Sequence, residues 1–252
     1  MARYDFRTPR LFLDAALAAG GEIALEREQA NYLLNVLRLK PGGEVLVFNG
    51  RDGEWRAQLA AAGRKGGKLG IVERAREQTA AGDLHYLFAP LKHARLDYMV
   101  QKAVEMGAAR LLPILTRHTQ AERVNLARVR ANAIEAAEQC GILNIAEIGE
   151  PVKFDAFVRG WTANRLLVFC DEDAEVKDPG AALSAGRGGG IAGQLPVSVL
   201  IGPEGGFAAD ERAALLALPN VIRLALGPRL LRADTAAVAA LALVQAVLGD
   251  WR

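Results

Sequence analysis

The sequence predicts an α/β protein in two parts, a small β-rich barrel followed by a larger domain built on a parallel sheet. Three observations predict it. The first 78 residues carry short apolar or alternating runs separated by glycine-containing turns. From residue 84 onward strand-like and helix-like segments alternate, the pattern of crossover connections between parallel strands. The late strand-like runs, such as "PVSVLIG" at 196–202, are continuously apolar, as in strands covered by helices on both faces.

Within residues 1–78 the strand candidates are "RLFLD" (10–14), "EVLVFNG" (44–50), "EWRAQLA" (54–60) and "KLGIVER" (68–74). One helical stretch, "EREQANYLLNVLRLK" (26–40), lies between the first two and stops at Pro41-Gly42-Gly43. "TAAGD" (79–83) reads as a linker to a second domain over 84–252.

There "LHYLFAP" (84–90) is a strand, followed by a helix with Leu96, Met99, Val100, Ala103 and Val104 on one face. "RLLPIL" (110–115) is strand-like, and Leu126, Val129, Ala133, Ala137 and Cys140 again follow the helical period. "RLLVFCDED" (165–173) and "VIRLALG" (221–227) complete the strand set. Residues 178–194, rich in glycine and alanine, read as an exposed loop. The helix from about 235 to 248, "TAAVAALALVQAVL", is apolar nearly all round and is buried either in its own domain or against another chain.

The totals exclude several classes. A 252-residue chain with 51% hydrophobic and 24% charged residues has the composition of an ordinary globular protein. No apolar run reaches the ~20 residues of a membrane span. The charged N-terminus "MARYDFRTPRLF" lacks an apolar signal core, which predicts a cytoplasmic protein. Cys140 and Cys170 are too few for a disulfide framework or a cysteine-based zinc site. His85, His93 and His118 show no ligand spacing, so no metal is expected. "GRKGGKLG" (63–70) lacks the Lys-Ser/Thr ending of a phosphate loop, and "GRGGG" lacks the dinucleotide fingerprint, which excludes a nicotinamide oxidoreductase.

Ligands of open parallel sheets sit beyond the carboxyl ends of the strands. Three such ends stand out: "FCDED" (169–173), "IGPEGGF" (201–207) and "LGPRLLR" (226–232). Two of them are Gly-Pro turns, and the second is filled with cations. Arg229 and Arg232 precede a helix expected to start near Asp234 or Thr235, where positive charge opposes the macrodipole. An anion should compensate, or else both side chains point into water. Lys102 and Glu105 fit either a site or a solvated helix face.

Taken together these segments resemble the bacterial small-subunit (16S) ribosomal RNA uracil-N3 methyltransferases, of the SPOUT (trefoil-knot) superfamily. "NYLLNVLRLKPGGEV", "LKHARLDYMVQKAVEMGAARLLPI", "AIEAAEQCG" and the paired "LIGPEGGF…E…LGPRLLRADTA" carry the likeness over most of the chain. The resemblance implies a PUA-like, RNA-binding barrel, then a knotted domain that binds S-adenosylmethionine, acting as a homodimer on 16S ribosomal RNA or the small ribosomal subunit. The knot itself comes from the resemblance alone. Ile201, Gly202, Pro203, Gly205, Leu226, Gly227, Leu231 and Arg232 would hold the cofactor. Arg232 would stabilise the anionic uracil, while Glu204 would bind the cofactor, help deprotonate N3, or fix its own turn. Arg7, Arg10, Arg38, Lys102 and Arg229 are candidate RNA contacts, with Arg3, Arg64 and Lys65 further basic positions. The sequence departs from the family pattern at Asn31, Ile142 and Ala208, where histidine, arginine and serine are common. A relative acting on another ribosomal or transfer RNA nucleotide, or a non-catalytic RNA-binding one, are the alternatives.

Overall fold

The computed structural model describes residues 5–63, 66–92, 94–121, 123–175, 178–188 and 195–251. The chain divides into two units, one running through Ala81 with Ile134–Ile145 added, the other comprising Gly82–Ala133 and Ala146–Arg252.

In the first unit, β1 (Arg10–Phe12) pairs in parallel with β3 (Glu44–Phe48). β3 pairs antiparallel with β4 (Glu54–Gly63), β4 with β5 (Gly66–Arg76), and β5 with β2 (Glu22–Ala24). The sheet order is therefore β1-β3-β4-β5-β2. Alternate residues Val45, Val47, Ala57, Leu59, Leu69 and Ile71 turn inward and pack with Leu33. Leu33 comes from α1 (Arg27–Asn31) and the π-helical turn Tyr32–Val36 that continues it. That helix ends at residue 36, short of the expected 40, because Arg38 takes a left-handed φ of 54° and the Leu39 N–H returns to the Leu33 carbonyl. β2 has no counterpart in the sequence reading; three residues with two exposed leave no period to detect.

Arg10 corrects an expectation. Its side chain is buried, with Nε donating to Glu54 at 2.9 Å and the other end to the Asp5 carbonyl at 2.6 Å. Arg76 binds the same buried Glu54 twice at 2.7 Å. A carboxylate drawn into a sheet needs cations beside it, so Arg10 is an internal counter-ion and presents no charge to RNA.

The second unit contains a sheet of order β12-β10-β11-β6-β7-β8, with β9 (Val152–Lys153) also on β7. Its strands are β6 (Leu84–Phe88), β7 (Ala108–Leu115), β8 (Glu147–Ile148), β10 (Leu166–Cys170), β11 (Val197–Ile201) and β12 (Val221–Leu224), and every pairing is parallel. β10 is buried throughout, as its unbroken apolar run requires. One face of the sheet, with Leu87, Leu167, Phe169 and Leu200, packs against α4 (Phe154–Gly160) and α6 (Ala209–Leu216) through Phe154, Phe157 and Leu215. α2 (Ala94–Glu105) buries Met99, Val100, Ala103 and Val104, four of the five residues of its apolar stripe. In α3 (Leu126–Cys140) Val129, Ala133 and Ala137 are buried but Cys140 is exposed, so the stripe ends one turn early.

The glycine- and alanine-rich segment expected to be a loop forms a helix, α5 (Pro179–Gly188), over its first part. Pro179 opens it, the Asp178 carboxylate caps the Ala181 N–H at 3.0 Å, and Leu183 is fully buried. Residues 189–194 lie outside the described residues. α7 (Ala233–Val247) begins one or two residues before the expected start, with Arg232 at the N-cap. It packs on α2, and buried Gln245 donates to the Met106 carbonyl at 2.7 Å.

Candidate functional site

β11 and β12 both neighbour β10, so the three strand ends singled out by sequence lie side by side. They enclose one cavity of about 820 Å³. Cys170–Asp173 from β10, Ile201–Gly206 from the turn after β11, and Leu224–Ala233 from the turn after β12 line it, with Arg95 of α2. Every expected cofactor position is included: Ile201, Gly202, Pro203, Gly205, Leu226, Gly227, Leu231 and Arg232, together with Glu204 and Arg229.

The first turn is braced from several sides. A methyl group on Gly202 would meet the Phe207 ring at 2.5 Å, so only glycine passes there. Phe207 is itself held by Phe169, whose ring lies edge-on at 5.1 Å. His118 Nδ1 lies 3.1 Å from the carbonyls of both Gly205 and Gly206; carbonyls only accept, so Nδ1 carries the hydrogen. Buried Glu211 accepts from the Arg117 N–H at 2.8 Å and the Ala208 N–H at 3.0 Å. With alanine at 208 the reciprocal half of a capping box is absent, and Glu211, together with an Arg117–Asp210 ion pair at 2.5 Å, ties the start of α6 to the segment after β7. Glu204 is ion-paired with Arg95.

The second turn is built differently. Gly227 has φ +100°, a backbone that L side chains avoid, yet a methyl group there would meet nothing within 4 Å. Residues 227–230 are exposed, Leu230 to 85%. Arg229 and Arg232 are exposed and have no hydrogen-bonded or ion-paired side-chain partner among the described residues. Arg232 occupies the N-cap without a capping side chain and Asp234 takes the Thr235 N–H at 3.0 Å, which leaves the first N–H groups of α7 and two guanidinium groups at this rim for an anion.

Asp171, to which sequence reading gave no role, organises the floor. Its side chain is wholly buried and accepts from Arg212 Nε at 3.1 Å and Arg223 Nε at 2.8 Å, while its N–H reaches the Leu224 carbonyl at 3.0 Å. One carboxylate thus joins β10, α6 and β12. The signal was present: an acid directly after an apolar strand, and an arginine inside the run 221–227. Glu172 and Asp173 lie beside it, and Arg212 also approaches both, at 3.4 and 3.0 Å. The three carboxylates stand close enough to share a cation, but two arginines already neutralise them in part. Burial, with the Asp171 charge second, pushes the Cys170 thiol up to about 12, so it packs and does not react.

The remaining candidates fall elsewhere. Lys102 is ion-paired with Glu105 at 2.7 Å and lies 5.6 Å from the Tyr98 ring, which makes it part of a helix face. Arg7 and Arg38 are exposed on the first unit. Asn31 is exposed and accepts from Asn35 at 2.8 Å. Arg3, Arg64, Lys65 and His93 lie outside the described residues.

Residues 77–245 match the family model described as an RNA methyltransferase domain, and residues 25–72 match an RNA methyltransferase PUA domain. The chain belongs to the RNA methyltransferase family. Among relatives of this methyltransferase is a protein of Rickettsia conorii named ribosomal RNA small subunit methyltransferase E, 28% identical over 237 residues, covering 94% of each chain. A protein of the same name from Synechocystis is 29% identical over 90% of this chain and 73% of its own. A putative methyltransferase of Legionella pneumophila, solved with bound S-adenosylmethionine, superposes with a TM-score of 0.78 at 27% identity, covering 95% of this chain and 98% of its own. The Neisseria gonorrhoeae ribosomal RNA small subunit methyltransferase E shares the fold at TM-score 0.84 and 22% identity, over 98% of this chain and 100% of its own.

Proposed function

We propose that this methyltransferase transfers a methyl group from S-adenosylmethionine to N3 of one uridine in 16S ribosomal RNA. The observation that carries the reading is the convergence of both Gly-Pro turns and the end of β10 on one cavity, with two unpaired arginines on its rim. Its volume of about 820 Å³ lies within the range of about 300–1,000 Å³ typical of small-molecule sites. The lining suits the donor. Gly202 and Gly205 line the cavity with main chain braced from behind by Phe207 and His118, and Ile201 and Leu226 offer apolar surface. Both signs of charge line the cavity, with Glu172 and Asp173 after the end of β10 and Arg229 and Arg232 in the turn after β12. A cationic sulfonium is favoured at the first and an anionic nucleic acid at the second.

Bound there, S-adenosylmethionine supplies an electrophilic methyl group. N3 of uracil would give its imide proton to solvent, leaving negative charge over O2 and O4, and would then take the methyl group as the carbon–sulfur bond breaks and the donor leaves as the neutral thioether. The chain aligns donor and acceptor, which contributes as much as ~7–11 kcal/mol. Arg232 places a guanidinium where the anion forms. Glu204, held by Arg95, fixes the first turn and lies on the same cavity wall. Arg7, Arg38 and Arg229 are the exposed cations offered to RNA phosphates.

The test is incubation with labelled S-adenosylmethionine and small ribosomal subunits lacking their modifications, followed by mapping of the methylated base. Label at N3 of a single uridine supports the reading; label on a ribose or another base overturns it. Arg232→Ala is expected to lower turnover by about 100-fold or more while S-adenosylmethionine still binds by calorimetry. The same reading carries a homodimer, supported by half-buried Val238, Leu243 and Val247 on the apolar α7. Sedimentation equilibrium at twice the chain mass of 27.0 kDa is the expected outcome.

A further inference from the structure

A second cavity, of about 500 Å³, lies in the same unit and has no part in the chemistry above. The start of α2, Gln120, Ala121, Arg123 and Asn125, and the first turn of α3 line it. Leu91, Leu96 and Val129 give it apolar surface; Leu91 and Val129 are buried. Among the described residues three cations, Lys92, Arg123 and Arg128, share the lining with one carboxylate, Asp97.

These charges are not equivalent. Arg128 is locked to Asp97 through both nitrogens, at 2.9 and 2.5 Å, and Asn132 donates to the same carboxylate at 2.7 Å. Asn125 uses its amide oxygen to cap α3, accepting from the Arg128 N–H at 3.1 Å. Lys92 and Arg123 are exposed, and neither has an ion-pair partner among the described residues. The Arg128–Asp97 frame is therefore internally satisfied, and two cations stand beside it without an ion pair among the described residues.

The position of the cavity identifies the ligand. Arg95 lines the donor cavity and Leu96 and Asp97 line this one, so the first turn of α2 is a wall common to both. A polyanion whose reacting base enters the first cavity finds further cations past this wall, at Lys92 and Arg123, on a path along the first turn of α2. We infer that the second cavity seats a nucleotide flanking the target in the substrate RNA, with Lys92 and Arg123 on its phosphates and the apolar surface against its base or sugar. This rests on the reading of the donor cavity as an RNA methyltransferase site.

The experiment compares wild type with Lys92→Ala/Arg123→Ala and with the charge-keeping Lys92→Arg/Arg123→Lys. An unmodified small-subunit ribosomal RNA transcript is titrated in filter binding over a range of salt concentrations. The alanine pair is expected to flatten the log affinity–log salt slope by about 1 to 2, because two phosphate contacts no longer release counterions. The charge-keeping pair should hold the wild-type slope, and S-adenosylmethionine affinity should stay within about twofold for all three. An alanine pair that is folded by circular dichroism and keeps the wild-type slope overturns the inference. A flattened slope in a chain whose wild type transfers no methyl group to RNA supports the seat and overturns the methyltransferase reading instead. Methyl transfer with an unchanged slope does the reverse.

Discussion

The two Gly-Pro turns at the carboxyl ends of β11 and β12 look alike in sequence and are physically opposite. The first is clamped by an aromatic ring, a histidine donor, a buried glutamate and an ion pair. The second has a glycine in open space and two exposed, unpaired arginines. A cavity built this way has one wall that defines shape and another that supplies charge. Rigid packing suits the recognition of a small donor, and solvent-facing cations suit a large polyanion that arrives from outside.

Substitutions can break this contrast, beginning with the floor that both turns share. Asp171→Ala removes the buried acceptor that joins Arg212 and Arg223, although Arg212 keeps Glu172 and Asp173, and should cost about 3 kcal/mol, seen as a lower midpoint in urea. A midpoint equal to wild type would show that the two turns do not depend on β10. Next come the glycines. Gly202→Ala forces a methyl group onto the Phe207 ring and should cost about 1–3 kcal/mol. Gly227→Ala meets no neighbour and suffers only its left-handed backbone, about 1–2 kcal/mol. S-adenosylmethionine affinity sharpens the comparison, since the first variant displaces the braced wall and should lose more of it. Equal losses would mean that the second turn shapes the donor site as strongly as the first. Smallest is His118→Ala, which removes a donor shared by two carbonyls and should cost about 1 kcal/mol in thermal unfolding.

Much of this was legible in the chain. Nearly unbroken apolar runs marked β10 and β11, because strands covered on both faces have no polar side to interrupt them, while β12, at the sheet edge, carries Arg223 within its run. The turns announced themselves through glycine and proline, and the site followed from where parallel sheets bind ligands. What escaped depends on pairing across the fold. Arg10 reads as a surface cation until Glu54, 44 residues away, is seen beside it. Asp171 finds its arginines 41 and 52 residues later. β2, β8 and β9 are too short to show a period, and α4 follows β9 without a break. In α5, glycine and alanine suggested a loop, but one buried leucine and a capping aspartate suffice for ten helical residues against a sheet.

The acidic wall at residues 171–173 has a consequence for the end of the catalytic cycle. In the proposed reading a sulfonium donor seated here carries a positive charge that these carboxylates attract, and the spent thioether has lost it. Turnover therefore switches off one of the forces holding the nucleoside in place, so that exchange of used donor for fresh is favoured by the reaction itself.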